Sequence, residues 1–161
     1  MKPKPLPREG IPRALEKADR YRLLNEPMEA ESICLDVLAT DPDHQDALVM
    51  LVLALADQLG QVEGCEQQCQ ALLPRIKDPY KSAYYAGVVS ERRAKAILEK
   101  DLPIALAADG FREALACYER AERLAPAGVF DAVLRWNTCA RIVDKHPELQ
   151  RVARYAEPWA E

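Results

Sequence analysis

Along most of the chain, apolar residues return at steps of three and four, the spacing that gathers side chains onto one face of an α-helix. Ala14, Leu15, Ala18, Tyr21 and Leu24 make the first stripe and predict a helix over 13–24, begun by Pro12. Asn25 is placed to cap a second, with Pro27 and the acids Glu26, Glu29 and Glu31 in its opening turn and Ala30, Ile33, Cys34, Val37 and Leu38 as its stripe. Asp41 and Pro42 stop it. Leu48, Leu51, Val52 and Leu55 mark a third helix running to Gly60, and Cys65, Cys69, Leu72 and Leu73 a fourth that ends before Asp78 and Pro79.

Residues 80–100 then run without a breaker. Asp101 is the expected cap of the next helix, with Pro103 just inside it and Ala125-Pro126 at its end; a pair over 129–145 and 147–155 follows. The pattern predicts an all-α chain of seven to eight helices in antiparallel hairpins, with no sheet. Ahead of them Pro3, Pro5 and Pro7 deny residues 1–10 the donors a helix needs, so that segment is expected to be an extended, mobile arm.

Set side by side, the pieces repeat. Ala30, Cys34, Val37, Leu38 and Pro42 have the spacing of Ala114, Tyr118, Ala121, Glu122 and Pro126: a small residue, a larger one four later, a smaller one three later, then proline. Leu48, Leu51, Val52 and Leu55, and less closely Ala14, Lys17, Ala18 and Tyr21, have the pattern of a first helix that would pack against it. The chain thus resembles the tetratricopeptide repeat family over about 12–147, most specifically over 111–126 and least in the second unit, where Cys65, Cys69 and Leu72 replace the family's small–aromatic–small set. The resemblance implies one helical-repeat domain over 11–157, a superhelical solenoid of units 11–44, 45–79, 80–126 and 127–157. The third unit is about a dozen residues longer than the family's. Either two lengthened helices absorb the excess, with Ala94, Ile97 and Leu98 facing Leu102, Ala105 and Leu106, or a loop breaks the second at Asp109-Gly110.

Charge changes the picture more than its net value of −4 suggests. Residues 1–22 carry seven Lys/Arg and three acids, residues 23–74 carry ten acids and no Lys or Arg, and the remainder is nearly balanced. An acidic region over the second and third helices and their neighbours is expected, which disfavours nucleic acid despite the basic start and Arg92, Arg93 and Lys95. The longest apolar run, residues 47–56, is about half of what a bilayer crossing needs, and no basic-then-apolar segment opens the sequence, so a cytoplasmic location is expected. Five cysteines in helical pattern are expected to be reduced and mostly buried.

Candidate chemistry is sparse. Cys65 and Cys69 share a helical face but supply only two metal ligands, and His44, in an inter-helix turn, is expected to be solvated. Neither a phosphate-binding glycine loop nor a nucleophile motif is present, so no enzyme activity, cofactor or metal is expected. Trp136 is expected in the core, and Trp159 either folds back or meets a partner.

The resemblance to the repeat family implies a scaffold or adaptor whose first helices line a concave groove that takes a peptide or a partner helix. Aligned on the family, that groove is lined by Glu16, Asp19, Arg22, Asp46, Met50, Leu53, Asp57, Tyr84, Val88, Glu91 and Arg92, a mixed acidic and apolar floor suited to a basic and apolar partner. The Lys, Asn and Arg with which one subgroup of the family grips a terminal carboxylate are replaced here by Leu15, Asp19, Val49 and Met50, so that specificity is not expected. A regulatory subunit of an enzyme complex and a homo-oligomeric module are the alternatives.

Overall fold

The computed structural model describes residues 1–100 and 102–150, and in them every regular element is helical. The chain divides into two compact units, Met1–Lys77 and Asp78–Glu161.

In the first unit, a 3-10 turn at Arg8–Gly10 leads into α1 (Ile11–Leu23), followed by α2 (Pro27–Thr40), α3 (Gln45–Ala56) and α4 (Cys65–Leu72), with a second 3-10 turn at Leu73–Arg75. Each helix packs on the next, and α1 also touches α3. Seven of the twelve residues of α3 are buried, among them Leu48, Leu51, Val52 and Leu55. This helix is apolar nearly all round and is accordingly covered nearly all round. Cys65, Cys69, Leu72 and Ile76 close the core beneath it. The Pro-rich start is fastened at one point: Leu6 packs against the cluster of Ile11, Val37 and Ala47, and the Thr40 hydroxyl donates to the Leu6 carbonyl at 2.7 Å.

The turn between α1 and α2 corrects one expectation. Asn25 does not cap α2; it ends α1. Its φ of 60° is left-handed, and the amide of Asn25 donates to the Arg22 carbonyl while that of Glu26 reaches back to Tyr21 at 2.9 Å. These two bonds satisfy carbonyls that the helix end would otherwise leave open, and asparagine is among the few residues that enter this conformation at low cost. Two helix ends also come earlier than expected. The third helix stops at Ala56, not Gly60, and the fourth ends at Leu72, because Pro74 has no amide with which to continue it. His44 caps α3, its Nδ1 accepting from the Ala47 amide at 3.3 Å, where a solvated turn residue was expected.

In the second unit α5 (Pro79–Glu99) and α6 (Ile104–Leu124) are each 21 residues long, about 30 Å, and form an extended hairpin; α7 (Asp131–Lys145) packs on α6. Asp78 caps α5 through its Oδ1, which accepts from the Lys81 amide at 2.9 Å. Residues 147–150 begin an eighth helical segment, with Leu149 buried; the rest of the expected last helix, and Trp159, lie outside the described residues.

The extra length of this hairpin is taken up by two continuous helices, and α6 passes through Asp109 and Gly110 without a break. Gly110 sits there because α5 is close. A Cβ on it would lie 2.9 Å from the Ala94 Cβ and 3.3 Å from the Ala94 Cα. The face of α6 turned to α5 is not the expected one, however. Leu102, Ala105 and Leu106 are exposed, whereas Ala107, Ala108, Phe111 and Ala114 are buried, because the contact follows the small residues that allow two backbones to approach. Trp136, expected in the core, is only half-buried, with its Nε1 donating to Glu119 at 3.2 Å.

Candidate interaction surface and a buried charge network

Four of the expected groove residues, Asp46, Met50, Leu53 and Asp57, recur at steps of three and four and so share one face of α3 that ends on its C-cap residue, Asp57. Asp46 is exposed; the other three are half-buried. This face lies beside α1, because the Arg22 Nε donates to the Asp57 Oδ2 at 2.8 Å and both side chains are largely covered. The pair ties the first helix of one hairpin to the first helix of the next. Glu16 and Asp19 are exposed on α1. Glu16 borders a depression of about 710 Å³ along Glu9, Pro12, Arg13, Lys17, Arg20 and Tyr21, so it does not converge with Arg22.

The other expected groove residues are on α5. Tyr84 and Arg92 are half-buried, while Val88 and Glu91 are buried in the second unit's core, Glu91 with 0% of its surface exposed. A carboxylate so placed must be compensated. Three donors reach it: the Tyr118 hydroxyl to Oε2 at 2.6 Å, the Lys95 Nζ to Oε1 at 2.5 Å and the Arg135 Nη1 to the same Oε1 at 3.2 Å. Burial pushes the Glu91 carboxyl up, but the hydrogen bonds from Lys95 and Tyr118, with the charges of Lys95 and Arg135, pull it below the usual carboxylate range. The converse holds for Tyr118, whose hydroxyl is raised by burial and by its bond to Glu91. Burial opposes the charge on Arg135, but Glu91 and a hydrogen bond with Tyr84 outweigh it and hold the guanidinium more firmly protonated.

The Tyr118 ring lies directly over Gly87, where a Cβ would come within 2.6 Å of it, and its centroid is 5.9 Å from that of Tyr84. Tyr80 extends the aromatic row, 5.9 Å from Tyr84; burial, then the neighbouring Asp131, raises its hydroxyl to about 12. Glu91 to Arg135 joins α5 to α7 as Arg22 to Asp57 joins α1 to α3. Each of the two units therefore has an ion pair between helices that are next but one in the chain.

Tyr118 matches the repeat by its spacing, but Glu91, expected on the groove floor, is buried in the core; sequence reasoning missed the bond between the two, and Lys95 and Arg135 as further partners of Glu91. Only the four-residue step from Glu91 to Lys95 is visible locally. The cysteines are thiols, none in a disulfide; burial pushes Cys34 and Cys139 up to about 12, which keeps them protonated and unreactive. The Cys69 Sγ donates to the Val52 carbonyl at 3.7 Å. Among the described residues no three His, Cys, Asp or Glu side chains gather around a point that could hold a metal ion, and no helix is long and apolar enough to cross a membrane. Comparison with known proteins finds no matching family model, no matching curated protein and no matching solved structure.

Proposed function

We propose that the chain is a protein-interaction adaptor of the tetratricopeptide type, which presents the first helices of its hairpins to a peptide or helix of a partner protein in the cytoplasm. The observation that carries this is the α3 face: Asp46, Met50, Leu53 and Asp57 combine acid with apolar surface on a rigid helix, and the Arg22 pair holds Asp57 in place. Such a surface suits a ligand with basic and apolar residues. Further support comes from the repeated spacing of buried residues in the second helices: Ala30, Cys34 and Val37; Cys65, Cys69 and Leu72; Ala114, Tyr118 and Ala121. In each set the steps are four and three, the spacing a stack of like hairpins would require.

Affinity capture from a native extract, with mass spectrometry of what is retained, tests the role. A partner retained by the wild-type chain and lost when Asp46→Lys and Met50→Ala are combined is the expected result. If the chain instead sediments as a stable oligomer and retains nothing, a homo-oligomeric module takes the adaptor's place.

A further inference from the structure

Helix α2 is apolar on two opposite faces, and only one is covered. Ala30, Cys34 and Val37 point inward with 0% exposure, while Met28 and Leu35, two turns apart on the far side, are 65% and 51% exposed. Ser32 and Ala39 lie on the same outward line, so no charge interrupts it. Leu23 and Leu24, in the turn that feeds α2, are 80% and 61% exposed. A single exposed leucine is ordinary, but Met28 and Leu35 on one uncharged line, with Leu23 and Leu24 just before it in the chain, make an apolar patch of the kind that another molecule covers. The neighbouring α3, apolar nearly all round, is by contrast buried on nearly every side.

We propose that the outward face of α2 is a docking strip for a basic amphipathic helix of a partner protein; this rests on the adaptor role above and assigns it a second surface. Charge decides the occupant. Glu29 and Asp36 flank the strip on one side and Glu31 on the other, and α2 contains no Lys or Arg. Lys17 of α1 reaches the edge of the strip, where it lines a small depression together with Tyr21, Glu29, Ser32 and Ile33. A second copy of the chain would bring these carboxylates against their own kind, which is destabilising, and an anionic membrane surface would repel them too. A helix with apolar residues along one face and Lys or Arg on either side would match both the line and its flanks.

A fluorescent leucine–lysine peptide, with leucine along one helical face, is the probe, and its leucine–glutamate counterpart the control. Anisotropy should report binding of the first to the full chain, weakened about tenfold by Met28→Ser with Leu35→Ser, and weakened also by Glu29→Lys with Asp36→Lys. Met28, Glu29 and Leu35 are exposed and Asp36 is only half-buried, so thermal melts of the variants should stay close to the wild type. Equal affinity for wild type and both double variants would overturn the proposal, as would equal binding of the leucine–glutamate peptide. It is likewise overturned if sedimentation shows a dimer that Met28→Ser with Leu35→Ser dissolves, or if phosphatidylserine vesicles bind through these residues while the peptide does not. Failure here is distinct from failure of the adaptor role: a partner still captured from extract by the Met28 and Leu35 variant removes the strip alone, and capture of nothing by the wild-type chain removes the role.

Discussion

Glu91 ties three helices of the second unit together, because it is fully buried and engaged by residues from its own helix and from α6 and α7. Tyr118→Phe removes one donor while keeping the ring, and should cost about 1–3 kcal/mol, since the Glu91 oxygen it served remains away from water. Tyr118→Ala also empties the space between helices and should cost about 3–5 kcal/mol in denaturant melts. The carboxyl of Glu91 is held below its ordinary value, so its contribution is complete above the unfolded pKa of about 4.3 and is lost as pH falls through the lower, folded value. Glu91→Gln should therefore destabilise by a constant amount from about pH 8 to pH 5, on the order of 2 kcal/mol because Lys95 and Arg135 can still reach water, with the gap to wild type closing below that. A gap unchanged at pH 3 would show that the charge of Glu91 is not what matters. That Tyr118 is buried was legible in its spacing from Ala114 and Ala121. Its bond was not, since Glu91 lies 27 residues away and Arg135 lies 44 from Glu91.

At the scale of elements, helix positions were legible because a three- and four-residue repeat of apolar side chains can be satisfied only by burying one face. Ends were less so. Asn25 can cap the start of a helix with its side chain or close the end of one with its backbone, and the preceding residues, Tyr21 and Arg22, supply carbonyls for the second use. The face by which α6 meets α5 was misread for a related reason: leucines at 102 and 106 look like core, yet the hairpin packs through alanine and glycine, which permit close approach. Gly110 tests this. Alanine is worth up to about 1 kcal/mol more than glycine within a helix, but here its Cβ would meet the Cβ and the backbone of Ala94. Overpacking against backbone cannot be relieved by turning a side chain, so Gly110→Ala should be net destabilising by about 1–3 kcal/mol, read from the midpoint of a urea melt. A variant as stable as wild type would mean that the hairpin is more loosely packed than these distances require.

For the molecule as a whole, the sequence shows where charge lies along the chain, while the structure shows which acids reach the surface. Of the ten in residues 23–74, Glu26, Glu29, Asp43, Asp46 and Glu63 are exposed, and Glu31 and Asp57 are half-buried and bonded to Gln58 and Arg22. The exposed acids should act on a basic partner during approach, Asp57 in its pair with Arg22 should act much less, and the apolar residues should act only after contact. Screening shortens the reach of a surface charge from ~10 Å at 0.1 M salt to ~3 Å at 1 M. Association with the captured partner should therefore slow markedly between those concentrations, while dissociation, governed by Met50 and Leu53 or by Met28 and Leu35, changes much less. Asp43→Asn combined with Asp46→Asn should lower the association rate at low salt and have little effect at 1 M, because each swap removes charge and nearly preserves shape. Asp57→Asn is the contrasting variant. It removes the charge that pairs with Arg22, so it should lower the melting temperature as well as alter binding. Rates measured on the immobilised partner that respond neither to salt nor to the Asp43 and Asp46 pair would leave the acidic surface with no part in encounter, and a partner chosen by apolar contact alone would then be the one to seek.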